Sequence, residues 1–188
     1  MNIRTLGFRG MVIGFLLGLA ACQTTGGPSP AAITKLQAAG YQPSTILKDV
    51  ALKDARITGV YLCPEEKCGS LGIVLTGSLI SPPSVLGITA EEQIRRRLFV
   101  DATLEKLLRN VVVDQGKKEG LQISVRNIRQ FSDAQKAGFS LSINMRDKSG
   151  MSLKIVANAI VVGNTASVVM SLSTREAQAR RGLALALN

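Results

Sequence analysis

The stretch FSLSINMRDKSGMSLKIVANAIVVGNTASVVMSL, residues 139–172, decides the fold. Its first eight residues alternate apolar and polar side chains, which is the period of a strand with one buried face. A three-residue turn at 148–150 places Met145 opposite Leu153. A two-residue turn would oppose Met145 to Ser152, so the longer turn, with Gly150 in the left-handed conformation, is predicted. The same register adds the pairs Ile143–Ile155, Leu141–Ala157 and Phe139–Ala159.

A second turn, at Gly163 and Asn164, leads into a third strand. Its register opposes apolar residues to apolar residues, so one apolar face runs unbroken over three strands. The predicted pairs are Val161–Ala166, Ala159–Val168, Ala157–Met170 and Ile155–Leu172.

The segments on either side of these strands extend the pattern. Upstream, Leu121, Ile123 and Val125 begin another strand, and a break in alternation at residues 127–128 predicts a bulge or a register change. Downstream, Ser173 and Glu176 have the spacing of a capping box, so a final helix is expected from about 175 to 187. The strands at 121–172 therefore form a predicted four-strand meander.

A hairpin is predicted in VYLCPEEKCGSL, residues 60–71. A loop at 64–67 would place Cys63 directly opposite Cys68, within the range that a disulfide accepts. A metal site would need more ligands, and the chain has no histidine and no second cysteine pair. A redox-active pair more often has the spacing Cys-x-x-Cys. A structural disulfide is therefore predicted.

Between the hairpin and the meander, a long central helix is expected. Thr89 and Glu92 have capping-box spacing, and apolar residues then recur near one helix face. These are Ile94, Leu98, Leu104, Leu108 and Val111 or Val112.

The central helix contains three consecutive arginines, Arg95, Arg96 and Arg97. They raise the hypothesis of a basic contact face for phosphate or lipopolysaccharide. Opposite charges at i,i+4 instead predict a solvated, internally paired helix face, which is favoured. The pairs are Glu91–Arg95, Glu92–Arg96, Arg97–Asp101 and Glu105–Arg109.

These elements predict a single α+β domain at residues 31–188. It combines an antiparallel sheet, made of a disulfide-stapled N-terminal hairpin and the C-terminal meander, with helices over one face. The helices are a short first helix, the long central helix and the C-terminal helix. This order resembles the PsbP-like fold of photosystem extrinsic subunits and related bacterial lipoproteins, and no functional residue is carried over from that resemblance.

The stretch LGLAACQTTGG, residues 17–27, ends an apolar segment with a lone cysteine. Basic residues at 4 and 9, a short apolar core and a small-residue exit are typical of a secretory signal peptide, here residues 1–21. The core is shorter than the roughly 20 apolar residues of a membrane-spanning helix. The ending Leu19-Ala20-Ala21-Cys22 resembles the lipobox of bacterial lipoproteins. That resemblance implies that Cys22 becomes the first mature residue and carries a diacylglyceryl group and an amine-linked acyl chain.

Residues 22–30 follow as a predicted flexible linker rich in Thr, Gly and Pro. Gln23 does not match the aspartate that retains lipoproteins in the inner membrane. The expected location is therefore the cell envelope, with the outer membrane facing the periplasm favoured over the inner membrane. Export to that compartment favours the predicted disulfide.

The net charge of the predicted mature chain limits the kinds of partner that it is expected to bind. Residues 22–188 carry 21 basic and 13 acidic residues, a net charge of +8. This excess suits an anionic membrane surface, an acidic envelope protein or simple solubility. Nucleic acid is not an expected partner of an exported, tethered chain. Nothing in the sequence defines an oligomeric state.

No catalytic site, metal or cofactor is expected. The absence of histidine excludes Ser-His-Asp and Cys-His arrangements as well as imidazole metal sites. The segment GFSLS at 138–142 nearly matches a nucleophile elbow, but it lacks the closing glycine and follows a strand pattern.

Two functions remain. The first is a lipid-anchored, non-catalytic interaction or structural module of the envelope. The alternative is a periplasmic carrier that encloses a lipid or another amphiphile in an apolar pocket. A filled core explains the same apolar residues, so the module is ranked first.

Overall fold

The computed structural model describes residues 28–45, 55–80, 87–98, 106, 113, 116 and 120–187. The predicted signal peptide and Cys22 lie outside these residues. The elements are α1 Pro30–Ala38, β1 Gln42–Pro43, β2 Ala55–Cys63, α2 Glu65–Cys68, β3 Gly72–Ile80, α3 Ala90–Arg95, β4 Gln122–Ser132, β5 Ala137–Arg146, β6 Ser152–Val162, β7 Thr165–Ser173 and α4 Glu176–Leu187. Among the helices of this described part, none has the length and apolar character needed to cross a bilayer.

The seven strands form one antiparallel sheet in the order β1-β2-β3-β7-β6-β5-β4. The fold class is α+β, as predicted. Strand β3 pairs with β7 along its whole length, from Gly72 opposite Ser173 to Ile80 opposite Thr165. This pairing joins the N-terminal strands to the C-terminal ones.

The register of β5, β6 and β7 follows the alternation of the sequence. Met145 lies opposite Leu153, and Val161 lies opposite Ala166. The other six expected pairs are also present. Gly150 and Gly163 have positive φ angles of 88° and 61° in the two turns, which suits residues without a Cβ.

The expected irregularity in β4 lies one residue earlier than the broken alternation indicates. The register shifts between Val125 and Asn127, which leaves Arg126 as the extra residue of a bulge. Val125 and Ile128 both remain buried because the bulge restores the alternation.

The two faces of the sheet are covered by different helices. The apolar face holds the largest buried cluster, which includes Ile143, Ile155 and Leu172, and Ile94 of α3 joins a second cluster on this same face. The opposite face packs against α4, which also contacts α1. The expectation that helices cover one face only is therefore wrong, since apolar residues on both faces require burial.

The long central helix is interrupted after its first turns. Helix α3 begins as predicted, with Thr89 Oγ1 accepting the Glu92 N–H at 3.1 Å, but ends at Arg95. The amides of Arg97 and Leu98 donate to the carbonyls of Ile94 and Gln93, and Arg97 has a φ of 52°. This is a Schellman closure, which turns the chain away from the helix axis. Of the expected continuation, only residues 106, 113 and 116 are described, and all three are helical.

Cys63 and Cys68 form the predicted disulfide, with Cα atoms 6.0 Å apart. The predicted tight loop is wrong, because Cys63 lies opposite Gly72 rather than Cys68. Residues 65–68 instead form one helical turn, which Gly69 ends with a φ of 70°. Because Cys63 ends β2 and Cys68 ends this helical turn, their Cα separation still falls within the range that a disulfide accepts, so the bond survives the change of loop.

The ends of the first and last helices also differ from the predictions. Ser29 and Pro30, assigned to the linker, begin α1: the Ser29 hydroxyl accepts the Ala32 N–H at 3.1 Å, and Pro30 occupies the first turn. Ser173 does not form the predicted capping box with Glu176 at the start of α4. It ends β7 and accepts the Arg175 N–H at 3.3 Å, while its own hydroxyl donates to the Leu71 carbonyl at 2.8 Å.

Candidate interaction surface

The strands carry charge of one sign only. Across the seven described strands there is no aspartate or glutamate. The cationic residues in them are Arg56, Arg126, Arg129, Arg146 and Lys154. Any solvent-facing part of this sheet is therefore neutral or positive.

The face that carries α1 and α4 is only partly covered. Under α4, Ser171 and Ser173 are 0% and 1% exposed. In the same cross-strand rows, polar residues of β4 and β5 are exposed or half-buried. We call this uncovered part the polar sheet face; it consists of Ser124, Asn127, Arg129, Ser140, Ser142, Asn144, Arg146 and Lys154.

The chemistry of the polar sheet face suits an anionic partner. Its hydroxyl and amide groups donate hydrogen bonds, and its three cations supply positive charge. Arg146 and Lys154 are diagonal neighbours across β5 and β6, because Arg146 pairs with Ser152 and Asn144 with Lys154. Cross-strand diagonals of this kind are about 7–8 Å apart, which lets two cations approach one anionic group.

Two described carboxylates lie in the hairpin turns that flank β5, and their oxygens are engaged there. Asp133 accepts the Gln135 and Lys136 N–H groups at 2.8 and 2.7 Å, and these bonds lower its pKa. The Ser149 hydroxyl donates to Asp147 at 2.6 Å and lowers the pKa of that carboxyl. Both side chains therefore stay ionised as turn-capping groups.

Helix α4 is held beside the polar sheet face by a buried polar contact. The Gln178 side-chain N–H donates to the Tyr41 hydroxyl at 3.0 Å, and burial raises the pKa of Tyr41. Gly72 and Gly182 make room for that hydroxyl: a Cβ on either would lie 2.8 or 2.7 Å from its oxygen. A larger residue at 182 would push α4 away from the sheet.

The three arginines of the predicted basic face do not act as a unit. Arg95 bonds Glu91 at 2.8 Å and the Asp133 carbonyl at 2.5 Å, and Arg96 is ion-paired with Glu92. Arg97 is exposed at the end of α3. The first two i,i+4 pairs are therefore present; the pairs Arg97–Asp101 and Glu105–Arg109 involve positions outside the described residues.

Glu91 and Arg95 instead anchor α3 on two turns of the sheet. Glu91 Oε2 accepts the Gly163 N–H at 2.8 Å, and the Glu91 N–H donates to the Gly163 carbonyl at 2.9 Å. The Ala90 N–H donates to Asn164 Oδ1 at 2.9 Å. Arg95 and Glu91 therefore have structural roles, because they hold α3 on these two turns.

The Glu91→Gln variant is expected to lose about 1 kcal/mol of stability at neutral pH, because bonds to an ionised acceptor become bonds to a neutral one. The Gly163 N–H, followed by Arg95, lowers the pKa of Glu91 below its ordinary 4.5. The stabilisation is therefore complete above pH 4.5 and is lost as the pH falls through the lower folded-state value.

Urea unfolding at several pH values measures this difference. Glu92→Gln on the same helix is the matched control. The ion pair of Glu92 is with Arg96, an exposed arginine of α3. A wild-type advantage over Glu91→Gln that persists unchanged at pH 2 would contradict the assignment.

Among the described residues, a small cavity lies on the apolar face between its two clusters. Its volume is about 10 Å³, and it is lined by Leu79, Phe139, Leu141, Ala157, Ala159 and Val168. This space is about that of a single water molecule. Among the described residues, no group of three or more metal-ligating side chains occurs.

The polar sheet face was not singled out from the sequence. Its residues were visible there only as the polar half of the strand alternation. These residues are exposed because α4 does not extend over them. The position of α4 on the sheet is set by distant residues such as Tyr41 and Gln178. Cys22, the predicted lipidation site, lies outside the described residues.

No protein-family model matches the chain, and no curated protein matches it in sequence. Its backbone is similar to the solution structure of cyanobacterial PsbP (CyanoP) from Synechocystis sp. PCC 6803. The TM-score is 0.44 at 12% sequence identity, and the alignment covers 78% of this chain and 87% of that chain. No residue role is carried over from it.

Proposed function

We propose that the chain is a bacterial lipoprotein, anchored through a lipid on Cys22, that acts as a non-catalytic interaction or structural module of the cell envelope. The lipobox-like ending Leu19-Ala20-Ala21-Cys22 supports the anchor. The outer membrane, with the domain facing the periplasm, is the proposed location. The partner is the membrane itself together with an envelope protein.

The observation that carries the module is the polar sheet face. A sheet surface outside the cover of α4, with three cations and five hydroxyl or amide side chains, is suited to contact rather than catalysis. General acid–base chemistry needs a titratable group held near a substrate position. Asp133 and Asp147, the carboxylates beside this face, are engaged in turn capping.

The carrier of an amphiphile is the second candidate, because the sheet has a broad apolar face. Sites for small molecules usually enclose about 300–1,000 Å³. The cavity on the apolar face has about 10 Å³. Around this described cavity, the difference supports a filled core.

Native mass spectrometry distinguishes the two. The protein is extracted gently from its own membrane, and the lipid on Cys22 is removed by cleavage in the linker. The module predicts a mass equal to that of the polypeptide alone. A stoichiometric bound lipid, lost when Ile155 is changed to a charged residue while the fold survives, would favour the carrier and contradict the module.

A further inference from the structure

We propose that the polar sheet face lies on the anionic phosphate headgroups of the bilayer to which Cys22 anchors the chain. This inference rests on the proposed lipid anchor and adds an orientation and a lipid class to it. The domain would thus be held against the membrane by two contacts, one covalent and one electrostatic.

The first argument is the charge of the two sides of the sheet. On the side of α4, the exposed or half-buried cations of the described residues include Arg129, Arg146, Lys154 and Arg181, and Glu176 is ion-paired with Arg180. On the opposite side, the carboxylates of α3 neutralise Arg95 and Arg96, and Arg97 is exposed at the end of that helix. Among the described residues, an anionic surface is therefore attracted more strongly to the first side.

The second argument is the position of the tether. Helix α1 contacts α4, so the chain enters the domain on the side that carries the polar sheet face. Residues 22–28 separate Cys22 from the cap of α1 at Ser29. At no more than about 3.5 Å per residue, they hold α1 within roughly 25 Å of the bilayer surface. The tether and the polar sheet face thus lie on the same side of the sheet.

The third argument concerns the shape and composition of the surface. Helix α4 is about 10 Å wide and packs on the sheet next to the polar sheet face, so it rises above that face. Long arginine and lysine side chains reach from the lower level towards the headgroups. A protein interface usually has aromatic or aliphatic anchors at its centre. On this side of the sheet, Phe131 and Ile160 are half-buried and lie in the cross-strand row of Gly138, at one end of the polar sheet face rather than within it. Headgroup phosphates require only cations and hydrogen-bond donors.

The energy expected from such a contact is modest but additive. Each lysine or arginine near an anionic membrane contributes about 1 kcal/mol, and the attraction falls off within a Debye length. A lipid anchor supplies a high local headgroup concentration, so a few cations suffice to hold the domain down.

The test uses the full lipid-anchored protein incorporated into vesicles of phosphatidylcholine alone or with 30% phosphatidylglycerol. A fluorophore at Ser142→Cys reports the polar sheet face, and one at Arg97→Cys reports the opposite side. With a headgroup-attached quencher, we expect strong quenching at position 142 only in anionic vesicles, reversed by 1 M salt. Position 97 should remain unquenched in both.

Charge removal then tests the residues. Arg129→Gln with Lys154→Gln should shift the docking equilibrium towards the undocked state roughly 10- to 30-fold, for two lost cations. The matched control, Arg96→Gln with Arg97→Gln, removes the same charge from the opposite side and should change it less than about twofold.

The possible outcomes distinguish failure of the headgroup contact from failure of the proposed lipid anchor. Incorporated protein with equal quenching in neutral and anionic vesicles, or none, would overturn the headgroup contact while leaving the anchor intact. Failure of the chain to incorporate because Cys22 lacks lipid would overturn the proposed function itself. Loss of quenching together with crosslinking from position 142 to an acidic protein in intact cells would overturn the headgroup contact in favour of a protein partner.

Discussion

Changing Cys22 to serine is expected to release the protein from the membrane fraction and to abolish the incorporation of radiolabelled palmitate. The thiol of Cys22 is the proposed attachment point, and a serine hydroxyl does not replace it. Each buried acyl methylene contributes about 0.8 kcal/mol, so more than one chain is a stable anchor whose loss changes the partition by many orders of magnitude.

The control for this experiment is the double variant Cys63→Ser, Cys68→Ser. It removes the other two cysteines, which form a disulfide within the domain. This variant should keep the label and stay with the membranes. Label retained in the Cys22→Ser protein, with sedimentation unchanged, would exclude this residue as the anchor.

Truncating Ile155 to alanine is expected to cost about 2–5 kcal/mol in the free energy of unfolding. Ile155 is 2% exposed and lies between Ile143 and Leu172 at the centre of the apolar face. Its removal takes buried methyl groups from a packed cluster and leaves a cavity. Urea denaturation measures the loss through the midpoint at constant slope.

The matched control is Val162→Ala on the same strand, β6. Val162 is 56% exposed, so the change should stay within about 0.5 kcal/mol. A cost below about 1 kcal/mol for Ile155→Ala would mean that the side chain borders empty space. That result would contradict a filled core and support the carrier.

The register of β5, β6 and β7 is predictable because two constraints act together. Alternation assigns residues such as Leu141 and Ile143 to the buried face, and the two turns are short. A slip by one residue would expose the whole apolar set, so only one register remains. These two constraints do not predict the pairing of β3 with β7, because it joins segments about 90 residues apart without a connecting turn.

Helix ends were less predictable than strands. Apolar periodicity continues past Arg97, but α3 closes there through the bonds of Arg97 and Leu98, and it is tied to the turns at Gly163 and Asp133. These anchoring contacts come from distant segments, whereas the spacing of residues along a helix reports only local neighbours. The same limit applies to Ser173, whose hydroxyl bonds Leu71 instead of capping Glu176.

Part of the surface chemistry was predictable, and part was not. The i,i+4 spacing correctly predicted that Glu91 and Glu92 pair with Arg95 and Arg96. The polar sheet face could not be identified in this way. It arises because α4 covers β7 and not β5, which is decided by tertiary packing rather than by the local sequence.

The central claim, a lipid-anchored envelope protein, is tested most directly by the mass of the N-terminal peptide of the mature protein. The protein is purified from the membranes of its own cells, digested, and analysed by mass spectrometry. The claim predicts a peptide that begins at Cys22 and carries a diacylglyceryl group on its thiol and an acyl chain on its amine. A peptide that begins elsewhere, or one with an unmodified Cys22, would contradict it.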